Sequence, residues 1–134
     1  AMRALLLLAG DLYDGNWKDY STGLFFAAQV SRLRQGDVQV VWIRGNHDAA
    51  SQITRHLRLP ENAVELSTRA PQTLRLERLG VAVHGQGFAE RAVSDDLAAA
   101  YPRALEGVVN LGLLHTCAGG RPGHDPYAPC RLET

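Results

Sequence analysis

Lysine is nearly absent from this chain. Of its 14 basic residues only Lys18 is not arginine, and alanine and leucine abound, a bias of base composition that carries no functional meaning. Cysteine is scarce as well. Cys117 and Cys130 are too few for a disulfide framework and form no C-x-x-C pair, so the expectation is a reduced, cytoplasmic protein. Net charge is missing: 14 acidic residues balance 14 basic ones, which excludes attraction to a polyanion or an acidic membrane by overall charge and leaves only local contact with nucleic acid. The run Leu5-Leu6-Leu7-Leu8 is far short of the roughly 20 apolar residues that span a bilayer, and acids follow it at once, unlike a cleavable signal. Neither repeats nor linkers nor low-complexity segments divide residues 1–134, so a single domain is expected.

What is present alternates between strand and helix. Ala4 to Ala9 is continuously apolar, as a strand covered on both faces would be. Leu24, Ala27, Ala28, Val30, Ser31 and Leu33 fall near helical spacing within Thr22 to Gln35, and Gly36 stands where a glycine stops a helix. Val38 to Ile43 reads as a strand, Ser51 to Leu57 as a short helix closed by Pro60. Thr73 to Leu79 and Val81 to His84 read as an antiparallel pair turning at Gly80, Asp95 to Ala100 as a short helix, and Val108 to His115 as a last strand. From Cys117 onward the chain is rich in glycine and proline and reads as loop.

Asp11, Asn46 and His115 each lie at or just beyond the carboxyl end of one of these strands, the edge at which open α/β sheets build their sites. A carboxylate, an amide oxygen and an imidazole nitrogen form a mixed oxygen and nitrogen set suited to Mn²⁺, Fe²⁺, Zn²⁺ or Mg²⁺. Gly10 and Gly45 would let the backbone turn sharply off the strands, aiming the next side chain into a site.

Gly10-Asp11-Leu12-Tyr13-Asp14 matches a GDxxD motif, Gly45-Asn46-His47-Asp48 a GNH[D/E] motif, and Leu114-His115-Thr116 a later isolated histidine. In these residues the chain resembles the calcineurin-like metallophosphoesterases. The spellings GDLYDG, IRGNHDA, VHGQGF, LLHT and GHDPYAPC are similar to the bacterial DNA repair exonuclease (SbcD-like) branch. The resemblance implies an α/β fold, the central portion of an αββα sandwich with a mixed β-sheet and flanking helices. It implies Asp11 as the carboxylate bridging two metal ions, Asn46 and His115 as ligands of the second, and His47, held by Asp48, as general acid or transition-state stabiliser. Asp14, His84 and Arg44 would stand near substrate or behind the ligands. Mn²⁺, a nucleic acid or other phosphodiester substrate and an ATPase partner are further implications.

Two motifs of the pattern have no match. The family's D-x-H precedes GDxxD, yet residues 1–10 hold no Asp or His, and Gly123-His124-Asp125-Pro126 has proline where a G-H-x-H motif needs its second histidine. The expectation is a partial domain truncated at both ends, binding at most one ion, weakly active or inactive, and self-associating through its uncovered edge. Other readings stay open. Asp48 could cap the helix beginning near Ser51, His84 could serve a structural turn, and Arg55 and Arg58 could meet a DNA backbone or only solvent. His115, Cys117, His124 and Cys130 could form a structural zinc module, or the chain could be a non-catalytic interaction fragment.

Overall fold

Short apolar stretches parted by turns fold into two small sheets in the computed structural model, which describes residues 2–13, 20–51, 56–118 and 127–131. Strands β1 (Ala4–Leu8), β2 (Val38–Trp42) and β3 (Ala63–Glu65) form the first sheet, all parallel and in the order β1-β2-β3, with Leu6 opposite Val40 and Val41 opposite Val64. Strands β4 (Gln72–Leu76), β5 (Val81–Gly85) and β6 (Val109–Leu113) form the second. There β4 runs antiparallel to β5, with Leu74 opposite Val83, and β6 runs parallel to β5, with Val83 opposite Leu111. The α/β class stands, and the strands are shared between two sheets, of which the second is mixed.

Helix α1 (Tyr20–Gln35) precedes β2 and packs against it, supplying the crossover that two parallel strands need. Only Gly23 and Val30 of this helix are buried, and Leu24 and Phe25 are 65% and 66% exposed. The chain turns at its end on Asp37, not Gly36: Asp37 takes φ 58°, a left-handed conformation that its short polar side chain tolerates.

The sheets face each other across one apolar seam. Val41, Ile43 and Leu66 meet Leu76, Val83 and Leu113, with Leu5, Leu7, Leu74 and Val81 packed around them. Each such side chain contributes about 1.5–3 kcal/mol when fully removed from water. The strand covered on both faces is β2, not β1. Gln39, Val40, Val41 and Trp42 are all buried, since β2 is the central strand, packed by α1 and, through Val41, by the second sheet, whereas β1 lies beside it with Leu5 and Leu7 reaching the core while Leu6 is 37% exposed.

Other boundaries move for local reasons. A short helix that the sequence did not announce, α2 (Asn46–Ala50), opens right after Gly45, so Asn46, His47 and Asp48 are themselves helical, while most of the helix expected over Ser51 to Leu57 lies outside the described residues. Strand β4 stops at Leu76 and a single 3-10 turn, Glu77–Leu79, leads into β5. The helix expected at Asp95 is a 3-10 turn, Leu97–Ala100, capped by Asp96, which accepts the N–H of Ala99 at 3.2 Å.

His84, for which the sequence left both a place near substrate and a structural role open, is buried within the second sheet and clasps its three strands together. Asn110 on β6 donates from Nδ2 to the carbonyls of Leu105 (2.8 Å) and Val108 (3.0 Å) and accepts the Leu105 N–H at Oδ1. That oxygen also faces His84 Nε2 at 2.8 Å, so Nε2 carries the proton, and Nδ1 accepts from the Thr73 hydroxyl at 2.8 Å. Asn110→Ala would strand the His84 and Leu105 donors, and urea unfolding should show a loss of about 1–3 kcal/mol.

Tyr101 ties the ends of β5 and β6 in a similar way, donating to the Leu113 carbonyl (2.7 Å) and accepting the Gln86 N–H (2.9 Å). Burial pushes its hydroxyl up to about 12 from the usual 10.0. The unfolded chain therefore loses this proton first, and the stability the group contributes is full below pH 10 and drains away as pH rises toward about 12. Urea midpoints measured across that window should fall less steeply in Tyr101→Phe than in the wild type.

Candidate metal centre

The chain leaves β1 through two left-handed residues, Gly10 (φ 93°) and Asp11 (φ 52°). Only a glycine can stand at position 10, because a Cβ there would lie 2.8 Å from the Gly45 backbone and 2.9 Å from His115 Nδ1. At Gly45 a Cβ would strike the Asp11 carboxylate. The loops after β1 and β2 thus touch backbone to backbone, which is why each motif carries its glycine.

Three donors converge there. His115 Nδ1 lies 2.9 Å from the carbonyl of Ala9, and its Nε2 lies 2.9 Å from Asn46 Oδ1 and 3.5 Å from Asp11 Oδ2. A carbonyl only accepts, so Nδ1 holds the proton and Nε2 turns its lone pair toward the amide and carboxylate oxygens. Three electron-rich atoms in such proximity call for a cation among them. Ligands about 2.0–2.1 Å from one ion stand roughly 3.0–3.4 Å from each other, close to the separations found here. The residues fit a divalent ion by chemistry and by spacing.

Asp48 sits behind these donors, fully buried in the first turn of α2. Its Oδ1 accepts the N–H of Tyr13 (3.0 Å) and its Oδ2 that of Gly45 (2.9 Å), while Asp11 Oδ1 accepts the N–H of His47 (3.1 Å). The two loops clasp each other reciprocally, each giving a carboxylate to the other's backbone. Burial raises the Asp48 carboxyl above the usual carboxylate range, and the N–H groups of Gly45 and Tyr13 pull against that rise. Tyr13 is pushed up to about 12, first by burial and then by the charge of Asp48. Asp48 stands inside α2, and its oxygens hold backbone of both loops, while the helix expected from Ser51, which it could have capped, lies mostly outside the described residues.

The sequence placed Asp11, Asn46, His47, Asp48 and His115 together, and the structure brings all five into this region. Arg44 goes elsewhere, pairing with Glu65 at the end of β3. Asp14 and His124 lie outside the described residues, as does Arg55, and Arg58 is exposed. The thiols of Cys117 and Cys130 are free and half-buried, and among the described residues no three His, Cys, Asp or Glu side chains gather as a structural zinc site would require. His115 is turned toward Ala9 and Asn46.

Two aromatic neighbours of the site went unread in the sequence. Tyr127 stacks on His115 with centroids 5.3 Å apart and planes at 18°, and Phe88 meets the same ring edge-on at 5.4 Å and 80°. Their signal was faint: each is a lone aromatic in a glycine-rich or proline-rich stretch, Phe88 in VHGQGF and Tyr127 in GHDPYAPC.

The sequence profile of the calcineurin-like phosphoesterases matches residues 2–113. The chain belongs to that family. The phosphoesterase chain is also 33% identical over 127 residues to the uncharacterized metallophosphoesterase YhaO of Bacillus subtilis (strain 168), a match that covers 92% of this chain and 31% of the relative. It thus spans about a third of that relative's length. No solved structure matches it. Members of the family generally use divalent metals, in keeping with the donor set formed by Asp11, Asn46 and His115.

Gly10→Ala in this chain should force the β1 and β2 loops apart. A left-handed conformation strained by a Cβ, added to a clash with Gly45, should lower stability by about 2–4 kcal/mol in urea unfolding, and Ser51→Ala, away from that contact, should cost less.

Proposed function

We propose that Asp11, Asn46 and His115 bind one divalent ion, Mn²⁺ foremost, and that the chain serves phosphodiester hydrolysis, with a nucleic acid of the kind cut by DNA repair exonucleases as the substrate class. The observation that carries this reading is the convergence of the three donors from three separate loops, with His115 bonded to Ala9 across 106 residues of sequence. A structural role alone would not require three unlike lone-pair atoms to face one point.

When bound, such an ion supplies Lewis acidity and a lowered pKa for water near the phosphate. The chain's own residues do the rest. Asp11 brings negative charge and is steadied by the His47 N–H, Asn46 offers a neutral oxygen that keeps the site from becoming too anionic for a phosphate, and His115 offers a nitrogen held in one tautomer. His47, beside Asn46 at the start of α2, is assigned the role of protonating a leaving oxygen, an effect worth about 10²–10⁴ in rate where the nucleophile is in place.

The described residues gather donors for one ion, whereas family chemistry by paired ions needs two. Calorimetric titration should give one Mn²⁺ per 134-residue chain, weakened at least about tenfold in Asp11→Ala, and turnover of a chromogenic diester should lie near background. Equal Mn²⁺ binding by both proteins would remove the site from this reading. Robust turnover abolished by Asp11→Ala would show that a second ion finds ligands beyond these three.

A further inference from the structure

The hydrogen bond from His115 Nδ1 to Ala9 fixes one line through the imidazole but not the tilt of the ring about that line. Nε2 must point at Asp11 and Asn46, and a tilt of a few tens of degrees would carry its lone pair away from them. Something else has to set the plane. The two aromatic rings do so geometrically: Tyr127 lies nearly parallel to the imidazole, and Phe88 meets it nearly at right angles and touches Tyr127 as well, at 6.4 Å and 64°.

The way Tyr127 is mounted points in the same direction. Its carbonyl accepts the N–H of Cys117 (3.0 Å), the next residue's N–H reaches the Val93 carbonyl (2.7 Å), and the Thr116 hydroxyl donates to the carbonyl of Ala128 (2.6 Å). Ala128 itself is fully buried with φ 37°, a left-handed conformation that costs a non-glycine residue about 1–3 kcal/mol. The strained alanine packs with Ala49 and Phe88 in a second small core that Tyr127 borders, directly beneath α2. Held by hydrogen bonds at both ends of the peptide that follows it, Tyr127 has its ring on the face of His115.

We propose that Tyr127 is a positioning residue for His115, its stacked ring, braced by Phe88, holding Nε2 toward Asp11 and Asn46. This rests on the reading of those three residues as ligands of one ion, and it adds a residue from outside the family's motifs. The ring, not the hydroxyl, does the positioning. Tyr127→Phe should therefore behave as the wild type and Tyr127→Leu should not.

Two measurements on the full chain separate the possibilities. In the metal-free protein the ring ¹⁵N shifts of His115 report its tautomer, and they should stay widely separated in the wild type and Tyr127→Phe but converge toward averaged values in Tyr127→Leu. Mn²⁺ affinity, read by electron paramagnetic resonance, should fall about tenfold in Tyr127→Leu and hold in Tyr127→Phe, a loss typical of removing a group that orients a ligand. Val30→Ala, which weakens the packing of α1 near the amino end of β2, away from both the donors and the sheet seam, is the control for mere destabilisation and should leave both readings unchanged. If Tyr127→Leu does not fold, Tyr127→Met keeps flexible apolar volume without a ring and takes its place. Unchanged ¹⁵N shifts in the ringless variant overturn the positioning role. Shifts that converge as expected while even the wild type binds no Mn²⁺ uphold it and overturn the metal reading instead.

Discussion

The site depends on two three-stranded sheets packing face to face with their strand ends at a common edge. Asp11 and Asn46 leave the carboxyl ends of β1 and β2 in the first sheet, and His115 follows β6 in the second. The donors can meet only if Val41 and Ile43 are seated against Val83 and Leu113, because that apolar seam sets the distance between the sheets. Since packed interiors are nearly as dense as crystals, the seam cannot slide by a fraction of an ångström without repacking, and the precision of the site is borrowed from the core. The bond from His115 to the Ala9 carbonyl, across 106 residues, is the point where that precision is transmitted.

Charge is arranged around the same point. Two carboxylates, Asp11 and Asp48, stand close enough for the charge of one to raise the pKa of the other. Asp48 is the deeper, and burying a carboxylate without partners would cost several kcal/mol. Backbone N–H groups from both loops solve this locally, so the buried charge becomes a fastening between the loops while Asp11 remains exposed enough to bind a cation. The arginine that ends the β2 loop, Arg44, is neutralised by Glu65 and adds no competing positive charge to the donors.

How much of this was legible in the sequence follows from how local each cause is. Gly10-Asp11 and Gly45-Asn46 could be read because a glycine set between an apolar run and an oxygen-bearing side chain answers a local demand of the backbone, and the structure shows the contact that makes this demand. His115 was readable by its order after the other motifs. The burial of β2 and the exposure of Leu6 were not, since a leucine run looks alike whether its strand lies at the centre or the edge of a sheet. Strand β3 has three residues and shows no alternation that could announce it. The two readings of His84 could not be separated, and the turn of Arg44 away from the donors could not be foreseen, because their partners, Asn110 and Glu65, lie 26 and 21 residues away, and pairing at that range is a property of topology. The stacking of Tyr127 on His115 is of the same kind.

Backbone strain points to the same region from an independent direction. Three non-glycine residues among those described have positive φ: Asp37 closes the turn after α1, but Asp11 and Ala128 both border the donor cluster. Left-handed conformations at such residues persist only where neighbours over-determine them, and here the neighbours can be named. Asp11 is held by the His47 N–H and by the closeness of Gly45, and Ala128 by hydrogen bonds at both its N–H and its carbonyl in a buried cluster. A fold concerned only with its own stability would relax both, for instance with glycine at position 128. That it retains a buried alanine there, next to the ring that lies on His115, puts the strain where side-chain direction matters most, and ties the small core under α2 to the aim of the three donors.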